Sequence, residues 1–470
     1  MHNPNRMAGL RAEARTLGVF LCWAVVFADV GTSVYYTPGI LYQQVGPHAA
    51  LFVDLTFVVF VLLCIKYAEV AVRYPEGGGV VTVATHAIHP VAGLLGGLFI
   101  LVDYFLTAGL SATSGVIYLS VVFKVLTPVI LIASITALIA LGLLNLVGIK
   151  ASARATAVFA VLAAAGQLTV VIAVLARFGP AELWSSLPRM FSGPPLTPVT
   201  VLTGYAGAFL AFSGLESISQ LAPAIAPPRK RVVRLAMTYV VLSLLVTSPL
   251  LTLWSTTLLK PGFDPNQGVS LLAGLAAGLN LQDAVAISGA LLLIFACNTA
   301  IIGCYHVFIA LSRMRFLPSQ LQATNRWRRT PHWSIIMATL VPVLVVLVAR
   351  ASTELLGSLF AFGLLGAFSV TCVGLDIVRW HDLRRPRPRA AVGRITMPIF
   401  VIGLATTVLV IIAWLTNLYA KPKATAFGGT LVLVGLAVAF VTNRLEARRG
   451  RYAVFPQLRR NYTLTLATDI

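Results

Sequence analysis

Asp29, Asp103 and Glu216 lie inside apolar stretches of a 470-residue chain, and each has hydroxyls close by in sequence. Asp103, Thr107 and Ser111 recur at four-residue steps, which at about 3.6 residues per turn puts them on one face of a helix. Asp29 opens "DVGTSVYYTPG", where Gly31, Thr32, Ser33 and Tyr36 interrupt the apolar pattern. Ser213 and Glu216 interrupt a second stretch, "FLAFSGLESISQLAP". Carboxylate and hydroxyl oxygens are hard ligands, suited to an alkali cation or a proton-bearing site. A charge at the middle of a bilayer costs ~2.5–3.5 kcal/mol even on insertion scales, so these acids should face a protein interior. No lysine or arginine is expected in the interior of the helices that carry them, or in the interior of the eighth or tenth helix. The three carboxyls should therefore be partly protonated or paired with a bound cation.

The elements that must hold these residues are membrane helices. The chain is 58% hydrophobic and 11% charged, with mean hydropathy +0.89, far from the soluble range. Apolar runs of about the 20 residues a bilayer requires fall at 17–45, 49–73, 92–122, 125–147, 152–176, 198–224, 232–258, 281–312, 333–350, 354–378, 396–417 and 425–443. The first is read as a span and not a signal peptide, because no small-residue cleavage site follows it. The net charge of +20 does not call for nucleic acid. With both termini inside, the outer loops keep only Lys124, Arg177, Arg189, Lys260, Arg350, Lys421 and Lys423 of the 35 basic residues. That is the positive-inside bias, and the basic loops should meet anionic lipid. The five cysteines all sit in apolar spans without metal-ligand spacing and read as core residues.

The expected divisions are an N-terminal segment (1–16), a ten-helix core (17–378), a basic linker (379–395), two further helices (396–443) and a basic tail (444–470). The two interrupted spans stand five apart, as the first and sixth helices of two five-helix repeats would. Paired interruptions of that kind are the best sequence pointer to a transporter's binding site. Unwound backbone survives in a bilayer only where it lines a cavity or is buried in protein, so its freed oxygens are expected to help hold the substrate. "YPEGGGVVTVATHAI" should dip toward the membrane, and residues 311–333 form a basic amphipathic loop. Asn298 and Thr299 are secondary site candidates. Glu69 and Asp376 read as water-exposed gates, and His306 as a helix-packing residue.

"GTSVYYTPG" resembles the first-helix signature of the amino acid–polyamine–organocation (APC) superfamily, and "FLAFSGLESISQLAPAIAPPRKRVVRLA" is similar to its sixth helix and following loop. "GLLNLVGIKASARA" and "SRMRFLP…RRTPHW" resemble the start of its fifth helix and its eight–nine loop. The resemblance implies an all-α membrane protein of about 12 helices with the LeuT-type inverted repeat, broken at helices 1 and 6, working by alternating access. "FADVGTSVYY" also resembles the motif of Kup-type potassium uptake proteins, and "DYFLTAGLS" the third helix of KimA-type transporters. That branch implies a potassium site at Asp29, Tyr36, Asp103, Thr107, Ser111 and Ser213, the last standing where a Thr is usual. It also implies proton coupling through Glu216 and Asp103. Ser33 stands where amino acid permeases have Gly, and Gln167 lies close to where several proton-coupled permeases carry a lysine. KimA-type proteins carry a soluble C-terminal domain beyond the point where this chain ends.

The expectation is a proton-coupled secondary transporter of the plasma or inner membrane, taking up potassium. A proton-coupled amino acid or polyamine permease of the same fold is the alternative, and a channel or a non-transporting scaffold the third reading. No nucleophile–base pair, metal motif or nucleotide loop suggests an enzyme. No cofactor is expected beyond the coupling proton and bound K+. The expected partners are a small cation or amino acid and membrane lipid, without nucleic acid; a homodimer is left open.

Overall fold

The computed structural model describes residues 17–148, 153–258, 271–384 and 395–448, with side chains described through Leu445. Among them there is no strand; one isolated bridge pairs Leu17 with Ile225. The first span is split into α1 (Val19–Val30) and α2 (Thr37–Val45). It is followed by α3 (Ala49–Arg73), the short α4 (Gly79–Ala87), α5 (Pro90–Val122), α6 (Ile130–Val147), α7 (Ala153–Arg177) and the short α8 (Pro180–Ser186). The sixth span is also split, into α9 (Pro198–Ala208) and the single turn α10 (Ser217–Gln220). Then come α11 (Arg229–Thr257), the short α12 (Leu271–Gly278), α13 (Gln282–Arg313), α14 (His332–Val348), α15 (Thr353–Arg384), α16 (Met397–Ala420) and α17 (Pro422–Arg448).

Nine helical segments among the described residues are long and apolar enough to cross a membrane. Three shorter apolar segments, Val19–Tyr35, Pro198–Phe212 and His332–Val348, bring the architecture to the expected dozen or so crossings. Two of those three are the interrupted spans. In the first, Gly31 to Tyr36 forms a turn and a 3-10 segment before Pro38 sets the first turn of α2, a position where proline's missing N–H costs nothing. In the second, a 3-10 segment Phe209–Phe212 leads to an extended Ser213 and then Gly214 at φ +95°. That left-handed conformation is open to glycine and strained for any side chain.

The third and tenth spans form the centre. α5 packs along α13 and α15, while α6, α16 and α17 turn much of their surface outward. The "YPEGGG" connection does fold back into protein: α4 buries Val80, Val81, Val83 and Ala84 against α5 and α15. The counterpart after the seventh span, α12, is also buried. It was not anticipated, since "LLAGLAAG" is too short to stand out among longer apolar runs.

α15 runs past its expected end at 378 to Arg384, because its last turns are held by charge pairing. Lys66 of α3 donates to Asp376 of α15 at 2.7 Å and to Thr407 of α16 at 2.6 Å. Thr407 closes the triangle with a very short bond to Asp376. One turn along α15, Arg379 donates to Glu69 of α3, and Arg73 bridges Glu69 and Asp382. Glu69 and Asp376 are thus not the water-exposed gates expected; both are buried. The tenth helix does carry an interior base, Arg379, at 1% exposure, with its partner supplied by a helix distant in sequence. The expected linker accordingly starts later than 379, and residues 385–394 lie outside those described.

Candidate functional site

The two interruptions meet. A side chain built on Gly214 would strike Asp29 Cβ at 2.6 Å and its backbone carbon at 2.9 Å. The absence of a side chain there is what allows α10 to lie against the acid. Beside this contact, Ser33 Oγ, Tyr36 Oη and Ser213 Oγ stand 3.2, 3.2 and 3.3 Å apart in a closed triangle. All three residues are buried. The sequence placed Ser33 and Tyr36 in one half of the chain and Ser213 in the other, so the fold assembles this hydroxyl cluster from both repeats.

The acids occupy different depths. Asp29 is half-buried and lines a cavity of about 360 Å³ together with Thr107, Ser213, Glu216 and Tyr104. Its Oδ1 accepts from Thr299 Oγ1 of α13 at 2.8 Å, and Ser217 lines the same cavity. Asp103 and Glu216 sit behind, 1% and 4% exposed, as buried neighbours of one another. Asp103 Oδ1 and Glu216 Oε2 have no hydrogen-bond partner among the described residues. None of the ion pairs among those residues involves any of the three acids.

Several carbonyls of the freed backbone already accept one hydrogen bond from side chains. Asp29 O accepts from Thr32 Oγ1 at 2.6 Å, so Thr32 caps the break. Gly31 O accepts from Gln167 Nε2 of α7 at 3.0 Å. Tyr35 O accepts from Tyr118 Oη of α5 at 2.9 Å. In the sixth span, Ser217 and Ser219 hydroxyls bond Gly214 O and Glu216 O, both at 2.7 Å. Buried carbonyls must find donors, and these side chains supply them. The acids and the hydroxyl cluster add side-chain oxygens at the same meeting point.

Of the polar stripe on α5, Asp103 and Thr107 reach the site. Ser111 is buried with its hydroxyl unpartnered among the described residues, and it is not in the cavity wall. Of the secondary candidates, Thr299 binds Asp29, whereas Asn298 turns away to accept from Asn145 of α6 at 2.7 Å. His306, read as packing, lines the cavity mouth. Ser217 and Gln220 were missed; their signal was proximity to Glu216 on a helix too short to recognise. The cavity runs from Asp29 past Ala300 and Gly303 to Leu17, Pro223 and His306, and so opens at the end that carries the basic loops. On the opposite side a side chain built on Gly357 of α15 would strike Ile40 at 2.9 Å and press on Leu210 at 3.3 Å, so α15 sits close there, and Phe212 stacks on Phe60 with ring centroids 4.7 Å apart.

The family described as amino acid permease matches residues 17–440. The potassium transporter KimA of Bacillus subtilis (strain 168) is 25% identical over 350 residues, covering 72% of this chain and 55% of that protein. The chain thus spans about half the length of this curated relative. Two structures of a manganese transporter from Eremococcus coleocola share the fold at 15% identity. One, in complex with an aromatic bis-isothiourea substituted compound, has a TM-score of 0.54 and covers 96% of this chain and 97% of that one. The other, a single-residue mutant, has a TM-score of 0.57 with 92% and 95% covered.

Proposed function

The chain belongs to the amino acid permease family, within the APC superfamily, and from that premise we propose that it is a proton-coupled transporter that takes up potassium by alternating access. The observation that carries this reading is the meeting of three carboxyls and three hydroxyls where the two interruptions touch, with no ion-paired base among them. A dehydrated cation entering that cluster would find hard oxygens on several sides. Asp29, facing the cavity, would receive it. Tyr36, Ser213 and Ser33 would complete the cage by rotating their hydroxyl protons away, and Thr107 and Ser111 would serve from α5. The proton held between Asp103 and Glu216 would be the coupled one: arrival of a cation beside Asp29 favours its departure, and loss of the cation favours its return.

In this reading both termini are cytoplasmic, and the cavity opening at the basic end makes the described state inward-open. KimA is named a potassium transporter, and the spacing of Asp29 with Tyr36 and of Asp103 with Thr107 and Ser111 matches the pattern read from that branch. A second reading, transport of an amino acid or polyamine, is favoured by the cavity itself. About 360 Å³ falls within the range of small-molecule sites and exceeds what a bare ion fills. The two separate in proteoliposomes. Rubidium uptake that grows with an inward proton gradient, without uptake of labelled amino acids, is the expected result. Saturable amino acid uptake without rubidium would replace potassium with the second reading.

A further inference from the structure

The connection between α13 and α15's neighbour α14 is basic, built and acid-free. From Ala284 to Thr353 the sequence contains no Asp or Glu, and within the connection Arg326, Arg328 and Arg329 surround Trp327. This is not a loose basic loop. Asn325 N donates to Thr330 O and Arg329 N donates to Asn325 O, both at 2.8 Å, while Asn325 Oδ1 accepts from Trp327 N at 2.9 Å. The ring so closed holds Arg329 at φ +55°, a left-handed conformation unusual for a long side chain. Thr330 Oγ1 then fastens it to Leu146 O in the last turn of α6 at 2.9 Å. Ser334 Oγ binds Leu321 O at 2.6 Å on the other side.

The result is a fixed turn at the rim of two membrane helices, α6 ending at Val147 and α14 starting at His332. On it Arg326, Arg328 and Arg329 are exposed, and Trp327 is 82% exposed, the most of any tryptophan in the chain. Arg328 lies over the Trp327 ring, 4.8 Å from its centroid. Trp333, at the start of α14, is half-exposed at the same level. Indole rings settle at the headgroup level of a bilayer, and guanidinium forks match phosphate oxygens two at a time. No carboxylate of the connection competes for them. We propose that this turn is a binding site for the headgroups of anionic phospholipid in the bilayer around the protein, a role independent of which substrate is carried.

The comparison that tests it is between this turn and the other arginine-rich stretch, 385–394. The triple variant Arg326→Gln, Arg328→Gln, Arg329→Gln and the charge-matched variant Arg387→Gln, Arg389→Gln, Arg394→Gln lose the same number of charges. Native mass spectrometry of the detergent-solubilised proteins, titrated with phosphatidylglycerol, reads bound lipid directly. The turn variant should lose affinity about 100-fold, the product of three surface arginines, and the linker variant only a few-fold. Trp327→Ala should weaken binding and Trp327→Phe should retain most of it. Equal losses in the two triple variants would overturn the proposal in favour of diffuse charge. So would unchanged binding in the turn variant, or loss of a dimer without loss of lipid. Single Arg→Gln variants, each expected to lose affinity about 5-fold, serve if the triple variant does not fold.

Discussion

Arg379 of α15 directs Nε and Nη2 to one oxygen of Glu69 on α3, at 3.1 and 2.7 Å, and both residues are buried. With Lys66–Asp376 and Arg73–Asp382 this makes an even set of three bases and three acids at the basic end. Removing one member unbalances the buried set, at a cost below the ~3–5 kcal/mol of a fully unpaired charge, since Glu69 keeps Arg73 and Arg379 keeps Asp376. Glu69→Gln or Arg379→Met should therefore each lower the thermal unfolding temperature clearly. The double variant should recover most of the loss, because Arg73 keeps Asp382. Losses that simply add would show that the pair is not coupled.

The three acids should respond differently to neutralisation. Asp29→Asn and Asp103→Asn remove charge from the cation cage and should abolish most rubidium uptake. Glu216→Gln keeps the hydrogen-bonding shape but removes an exchangeable proton, so uptake should persist with a flattened dependence on the proton gradient. A pH series in proteoliposomes separates the two behaviours. Wild-type uptake in both aspartate variants would remove them from the site.

Gln167 ties α7 to the first interruption by one bond to Gly31 O, and α7 also lends Ala153 and Thr156 to the cavity wall. Gln167→Leu orphans a buried carbonyl, a loss worth ~1–3 kcal/mol. Turnover should fall about 10-fold or more on that scale. Gln167→Lys restores a donor and should regain transport, now with a pH dependence of its own. Unchanged turnover in the leucine variant would mean that the break holds itself in place.

The proposed orientation is read by labelling. All five native cysteines are buried and should stay silent. Lys423→Cys, exposed in the first turn of α17, should react with an impermeant maleimide on intact cells. Arg384→Cys, exposed at the end of α15, should react only after permeabilisation. The reverse pattern inverts the assignment.

Lys421 joins α16 to α17 but is half-buried, and burial pushes its amine from the ordinary 10.5 down to about 8. Between pH 8 and 10.5 the unfolded chain holds a proton on this lysine that the folded chain does not. Stability contributed here therefore rises with pH across that window and is lost as pH falls through 8. Lys421→Met should raise the unfolding temperature more at pH 7 than at pH 10.5. An equal shift at both values would show that the amine does not titrate differently on folding.

What the sequence disclosed was what is local. The interruptions announced themselves through Gly31, Pro38 and Gly214, and the α5 stripe through a four-residue repeat. What it hid depended on partners far along the chain. Arg379 meets Glu69 across 310 residues, and Thr299 meets Asp29 across 270. A base inside a helix looks unpaired until the fold brings its acid, which is why Arg379 was counted as a loop charge. Nor does a glycine–proline break say whether its carbonyls are vacant. Gln167 and Tyr118 fill two of them from helices whose patterns give no hint of it.

The close seat of Gly214 on Asp29 reaches beyond transport to inheritance. The two residues belong to different repeats, yet position 214 cannot gain a side chain without displacing the backbone at 29. Chimeras that join the first five helices of one relative to the next five of another should work only when both halves bring compatible residues to this seam. In a saturation library, substitutions at 29 and 214 should show the strongest pairwise epistasis between the repeats.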